Sequence, residues 1–197
     1  MLFVFSTLFA VAMMKKQSGF TMIEVVVVMA LIGIVAAVAI PTFTVWMPNY
    51  RLRAATNDLY ANMQLAKSGA VRDRNTWAVR FDTTNNSYQI LSDDGESDAE
   101  VTDWWDGDEV VEKTVVLSDY RSGVAFGHGN ATDDVPGNGS APADDVTYGS
   151  YVVVFNMRGT GNAGYVYLEN NKNNTFAVGS LSSGAVRMRR WSGSAWE

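Results

Sequence analysis

The chain has 197 residues, 47% of them hydrophobic, enough for one domain and an anchor. It has no cysteine and a single histidine, and no serine sits in a nucleophile elbow, which excludes disulfides, thiolate metal sites and the familiar catalytic constellations. The net charge of -6 is local: residues 92–112 hold ten acids and no base, residues 127–147 hold four more, and the rest from Phe20 onward sets 13 bases against seven acids, which leaves an anionic partner open.

Residues 1–14, "MLFVFSTLFAVAMM", look like a signal-peptide core, and Ala10-Val11-Ala12 looks like a small-residue cleavage site. A signal peptide carries its positive charge before the apolar run, whereas Lys15 and Lys16 follow this one. The expectation is a leader over residues 1–19 whose natural start is Met13 or Met14, with a true apolar extension as the other reading.

Phe20 to Ile40 follows, 21 residues with one ionisable group, Glu24. As a helix it spans about 31 Å, the hydrocarbon thickness of a bilayer. A transmembrane helix over residues 20–41 is therefore expected, closed by Pro41. Lys15 and Lys16 put its start in the cytoplasm, so the remainder lies beyond the inner membrane. A carboxylate within lipid costs a few kcal/mol or more and needs a partner. No basic residue lies within two turns of Glu24 on the same helix, so Glu24 either stays protonated or pairs with another chain. Cleavage after Gly19 would make a new amine on Phe20, four residues before Glu24.

The run "KKQSGFTMIE" followed by an apolar helix and Pro41 resembles the class III signal of type IV pilins and type II secretion pseudopilins. The resemblance implies cleavage between Gly19 and Phe20 by prepilin peptidase, N-methylation of Phe20, and an assembly role for Glu24.

Residues 42–75 read as an amphipathic helix continuing the anchor. Leu52, Ala55, Leu59, Met63, Ala66 and Ala70 recur at spacings of three and four on one face, and Pro48 should kink it or mark a join. From Thr76 the period becomes two. "TWAVRF", "SYQIL", "KTVVL" (113–117), "GVAFG" (123–127), "YVVVFNM" (151–157), "GYVYLE" (164–169), "TFAVGS" (175–180) and "AVRMRRW" (185–191) predict six to eight short, mostly antiparallel strands, with turns at Asn85-Asn86 and "NNKNN" (170–174). The expected fold class is α+β. A long N-terminal helix, transmembrane in its first half, packs in its second on an antiparallel sheet or sandwich over residues 76–197, with an acidic loop at 92–112 and a Gly/Asn-rich loop at 127–147.

The helix, the hairpin, "VVVFNMRGTG" and the closing "GSLSSGAVRMRRW" together resemble the GspH/FimT family of minor pseudopilins. Met157 stands where that family has proline in F-x-P-x-G, the closing arginines are spaced differently, and the two loops have no counterpart in the pattern. The resemblance implies a pilin-like, single-pass inner-membrane protein with a periplasmic domain. It would be a structural subunit of a type II secretion pseudopilus or a type IV pilus tip, with other pseudopilins or pilins and prepilin peptidase as partners. No enzymatic activity, cofactor or small-molecule substrate is expected.

Three further motifs have two readings each. Gly159-Thr-Gly-Asn-Ala-Gly164 fits G-x-G-x-x-G after a strand, but an alternating strand follows where a dinucleotide site needs a helix N-terminus, so it reads as a hairpin. Asp94, Glu96, Asp98 and Glu100 alternate as in a calcium loop, yet positions six and twelve are Ala99 and Trp105. Loose calcium binding there or at Asp133, Asp134, Asp144 and Asp145 is the alternative to solvated acidic loops. Arg187, Arg189 and Arg190, with Trp191 and Trp196 following, form either a solvated edge strand or a candidate DNA-binding patch, which some FimT-like pilins use in DNA uptake.

Overall fold

The structure, a computed structural model, describes residues 19–93, 104, 109–137 and 139–197. It divides into two compact units, Met1–Thr42 and Phe43–Glu197. The expected leader and start lie outside the described residues except for Gly19, as does most of the acidic loop.

One helix, α1, spans Met22–Asp73. At its start the Glu24 amide donates to Thr21 Oγ1 at 3.3 Å, a side-chain N-cap that satisfies one of the donors a helix leaves open. Within the first unit Met22–Ile40 is long and apolar enough to cross a membrane, and none of it is buried within the protein. A buried core helix of this composition would be mostly covered; this one leaves its apolar side chains exposed. The helix is unbroken through Pro48, where a kink or join is expected from the missing donor. It ends by a Schellman turn, in which the Asn75 amide donates to the Ala70 carbonyl at 3.2 Å and Arg74 takes a positive φ of 53°.

In the second unit, the predicted apolar face of α1 is fully buried at Leu52, Ala55, Leu59, Met63, Ala66 and Ala70. It packs on two antiparallel four-stranded sheets. The first runs β3(Val110–Val116), β2(Ser87–Ser92), β1(Trp77–Asp82), β5(Val152–Phe155) in spatial order. The second runs β4(Ala125–Phe126), β6(Gly164–Glu169), β7(Thr175–Ser180), β8(Val186–Arg190). One cluster joins α1 to Val79, Phe81, Tyr88 and Phe155 of the first sheet and Val166, Leu168, Val178 and Val186 of the second. Beside it Asn62 donates to the Tyr88 hydroxyl at 2.7 Å and accepts from Lys113 Nζ at 3.0 Å, and the Thr56 hydroxyl donates to the Leu52 carbonyl at 2.8 Å, so both polar side chains that α1 buries are satisfied.

β6 and β7 occupy the predicted spans. β3 begins at Val110, three residues before the expected start, and takes the last three residues of the expected acidic loop. The register shift at Ile90/Leu91 and the solvent exposure of nearly the whole strand remove the period of two that would have marked it. β4 is two residues long.

Each sheet has an outer face, and a residue from one of the two long loops packs on each. Trp104 of the acidic segment packs with Ala78, Leu91 and Val152 on the first sheet. Val135 of the Gly/Asn-rich segment packs with Tyr165, Tyr167, Ala177 and Trp196 on the second.

Candidate functional site

The described chain opens with Gly19 and Phe20, both exposed ahead of α1. Glu24 lies in the first turn, where a carboxylate also complements the helix dipole, and it is exposed. The Thr-x-x-Glu signal of residues 21–24 was available as a capping pattern but was masked by the cleavage motif that overlaps it. Residues 15 and 16, whose charges set the expected orientation, lie outside the described residues.

The three arginines share β8, paired to β7 as Gly179↔Arg187, Ala177↔Arg189 and Phe176↔Arg190. They line two places, and Arg189 belongs to the lining of both. Arg187 and Arg189 line a groove of about 420 Å³ with Tyr165, Val135 and Trp196 on the outer face. Arg189 and Arg190 line a cavity of about 500 Å³ between β8 and α1, with Trp46, Tyr50 and Arg53 on the helix side and Phe176, Met188 and Trp191 on the sheet side. Trp46 and Tyr50 stack with centroids 5.2 Å apart. Among the described residues, no acid comes within ion-pair distance of Arg53, Arg187, Arg189 or Arg190. Sequence reading found the β8 arginines and missed Trp46, Tyr50 and Arg53; their i, i+4 spacing was visible, but the strand they face was not.

The remaining motifs resolve locally. Gly159–Gly164 connects β5 to β6; Gly161 bridges Phe155, and a Cβ there would meet the Val154 carbonyl oxygen at 2.2 Å, so glycine is what lets the chain double back. No helix follows it. His128 Nδ1 lies 3.1 Å from Asp145 Oδ1, and Glu169 Oε2 accepts the Gly129 amide at 2.8 Å, which ties the Gly/Asn-rich segment down. Among the described residues no three His, Asp or Glu side chains gather as metal ligands, and Asp94, Glu96, Asp98 and Glu100 lie outside them.

Residues 14–40 match the prokaryotic N-terminal methylation motif, and residues 55–189 match the type II transport protein GspH family. Two curated relatives from Pseudomonas aeruginosa, each described as a fimbrial protein, are 31% identical over 100 residues, 48% of this chain and 65% of theirs. The chain thus spans just under two thirds of those relatives. Among solved structures, the minor pseudopilin EpsH of the Vibrio cholerae type 2 secretion system is similar over 71% of this chain and 97% of its own, at 11% identity and a TM-score of 0.46. The Pseudomonas aeruginosa type IV minor pilin FimU is similar over 77% of this chain and 96% of its own, at 12% identity and a TM-score of 0.44.

Proposed function

The chain belongs to the GspH family of type II transport proteins, and from that premise we propose that it is a minor pseudopilin or pilin assembled through its N-terminal helix into a type II secretion pseudopilus or a type IV pilus tip. The observation that carries this reading is the methylation motif running straight into a bare, span-length helix with Glu24 in its first turn. Prepilin peptidase would cut between Gly19 and Phe20 and methylate the new amine. The inner membrane would hold the span with its start in the cytoplasm and residues 43–197 outside. Glu24 would then pair with the amine of a neighbouring subunit, a charge compensation met in one axial stagger and lost in others.

Replacing Glu24 with alanine removes that selection and leaves the apolar span intact. The expected outcome is membrane insertion at the parental level with incorporation into filaments reduced at least several-fold, measured by fractionation and by recovery in sheared filaments. Parental incorporation of Glu24→Ala would overturn the role given to the carboxylate.

A second reading, DNA capture, rests on one observation: Arg187, Arg189 and Arg190 have no acidic partner among the described residues and line the same cavities as aromatic rings. It requires that the detergent-solubilised full chain bind DNA with an affinity that falls steeply with salt and with arginine removal. Binding indifferent to both would dismiss it.

A further inference from the structure

The cavity between α1 and β8 combines arginines with aromatic rings. Its lining includes three arginines, Arg53, Arg189 and Arg190, and four aromatic residues, Trp46, Tyr50, Phe176 and Trp191. Trp46 and Tyr50 are more than half exposed although large and stacked on each other. The Trp191 indole N–H, in the same lining, has no acceptor among the described residues. Glu197 is the acid present, and its backbone exchanges two hydrogen bonds of 2.9 Å with Arg190. The site therefore offers an excess of donors and positive charge and asks for a ligand that brings acceptor oxygens and negative charge.

The chain itself limits where that ligand can come from. Trp46 is six residues beyond Ile40, where the apolar span ends. Six residues reach at most about 21 Å even when fully extended, so the aromatic edge of the cavity stays near the bilayer surface whatever the arrangement of the two units. Tryptophan and tyrosine partition to that interface because one part of the ring system is apolar and another can hydrogen-bond. Arginine there meets lipid phosphates, which it can bind with two parallel hydrogen bonds.

We infer that the Trp46–Tyr50–Arg53 face of α1 and the Arg189–Arg190–Trp191 end of β8 form a docking site for anionic phospholipid headgroups. The site holds the domain against the membrane before the subunit is extracted. The inference rests on the reading of Met22–Ile40 as a membrane anchor, and it assigns a separate role to the residues on the far side of that anchor.

The chain has no cysteine, so a single introduced one carries a nitroxide label without competition. Asn174 lines the cavity and is exposed, and its side chain makes no hydrogen bond among the described residues, which makes Asn174→Cys a suitable reporter. The full chain is reconstituted in nanodiscs of phosphatidylcholine alone or with added phosphatidylglycerol, and the ratio of ordered to free label is read from the spectrum. Phosphatidylglycerol is expected to raise that ratio. Each of Arg53→Gln, Arg189→Gln and Arg190→Gln is expected to lower it about fivefold, while lysine at the same positions keeps most of it. An equal ratio in both lipids, or indifference to all three glutamines, overturns the inference. So does an oligonucleotide that orders the label on phosphatidylcholine discs as phosphatidylglycerol does, since the cavity would then read nucleic acid. A second label at Ile32→Cys separates the two readings. If it is accessible to a water-soluble relaxant, the anchor itself fails and takes this inference with it; if it is lipid-buried while the Asn174 label ignores lipid charge, the headgroup site alone fails.

Discussion

Gly69 shows how one missing side chain positions an element. Trp77, the first residue of β1, lays its indole on α1 where residue 69 has no Cβ; an added one would meet the ring at 2.7 Å. Alanine favours a helix over glycine by about 1 kcal/mol, but overpacking a filled contact costs roughly 1–3 kcal/mol. Gly69→Ala should therefore lower stability, net by about 1 kcal/mol, where an exposed helical glycine would gain from the same change; a thermal melt decides. Tyr88 carries a second test. Burial, with the charge of Asp58 adding and the Asn62 hydrogen bond opposing, pushes its hydroxyl from 10.0 up to about 12. The folded chain thus holds this proton to a higher pH than the unfolded chain does. The associated stability is complete below pH 10 and is lost as pH rises through about 12, roughly 2–3 kcal/mol in all. Tyr120 and Tyr148 are raised by the same first cause, burial, and add in the same direction. Denaturation midpoints should fall above pH 10, and Tyr88→Phe should make that fall shallower.

At the scale of elements, the two loops change the account of how a sheet with one helix stays soluble. α1 covers the inner faces, so each outer face would present apolar side chains to water without the loop residue packed on it. Trp104 and Glu109 of the acidic segment are held through Arg80 on β1. Its guanidinium donates to the Trp104 carbonyl and to Gln89 Oε1 at 2.6 Å, and lies 3.8 Å from Glu109 Oε2, with Glu109 nearly buried. Removing the arginine leaves that carboxylate buried without its cation, a change that costs more than the pair contributes. Arg80→Ala is expected to lower stability by roughly 2–4 kcal/mol in urea unfolding. Adding Glu109→Gln to it should restore part of the loss, because the uncompensated charge is gone. If the double variant is worse than the single one, the pair is not what holds these residues.

For the whole molecule, the same helix divides into an exposed apolar stretch, which the proposed function puts in the membrane, and a packed one. Before Pro41 its side chains are bare, and from Leu52 its apolar face is sealed under two sheets. Processing would change the whole chain's charge from -6 to -8 by removing Lys15 and Lys16, and would give Phe20 the amine that Glu24 needs. Coexpression with a prepilin peptidase should yield an intact mass equal to residues 20–197 plus one methyl group. That mass is the same whether translation starts at Met1, Met13 or Met14, so it tests cleavage independently of the start. A product still joined across Gly19 and Phe20 would remove the basis of the assembly mechanism.

What sequence alone determined here was what each segment buries. The six α1 positions from Leu52 to Ala70 were legible because a period of 3.6 leaves one face apolar, and all six are buried. β6 and β7 were legible for the same reason at a period of two, bounded by turn residues. The N-terminal methylation motif was legible because a charge in an apolar run has few explanations, and residues 14–40 match it. Tertiary structure alone decided what each face is buried against: the division of the described strands into two sheets, the packing of Trp104 and Val135 on the outer faces, and the meeting of Trp46, Tyr50 and Arg53 with β8. Periodicity records that a side chain leaves water. Which partner receives it depends on shape and chain closure over more than a hundred intervening residues, and no local pattern carries that.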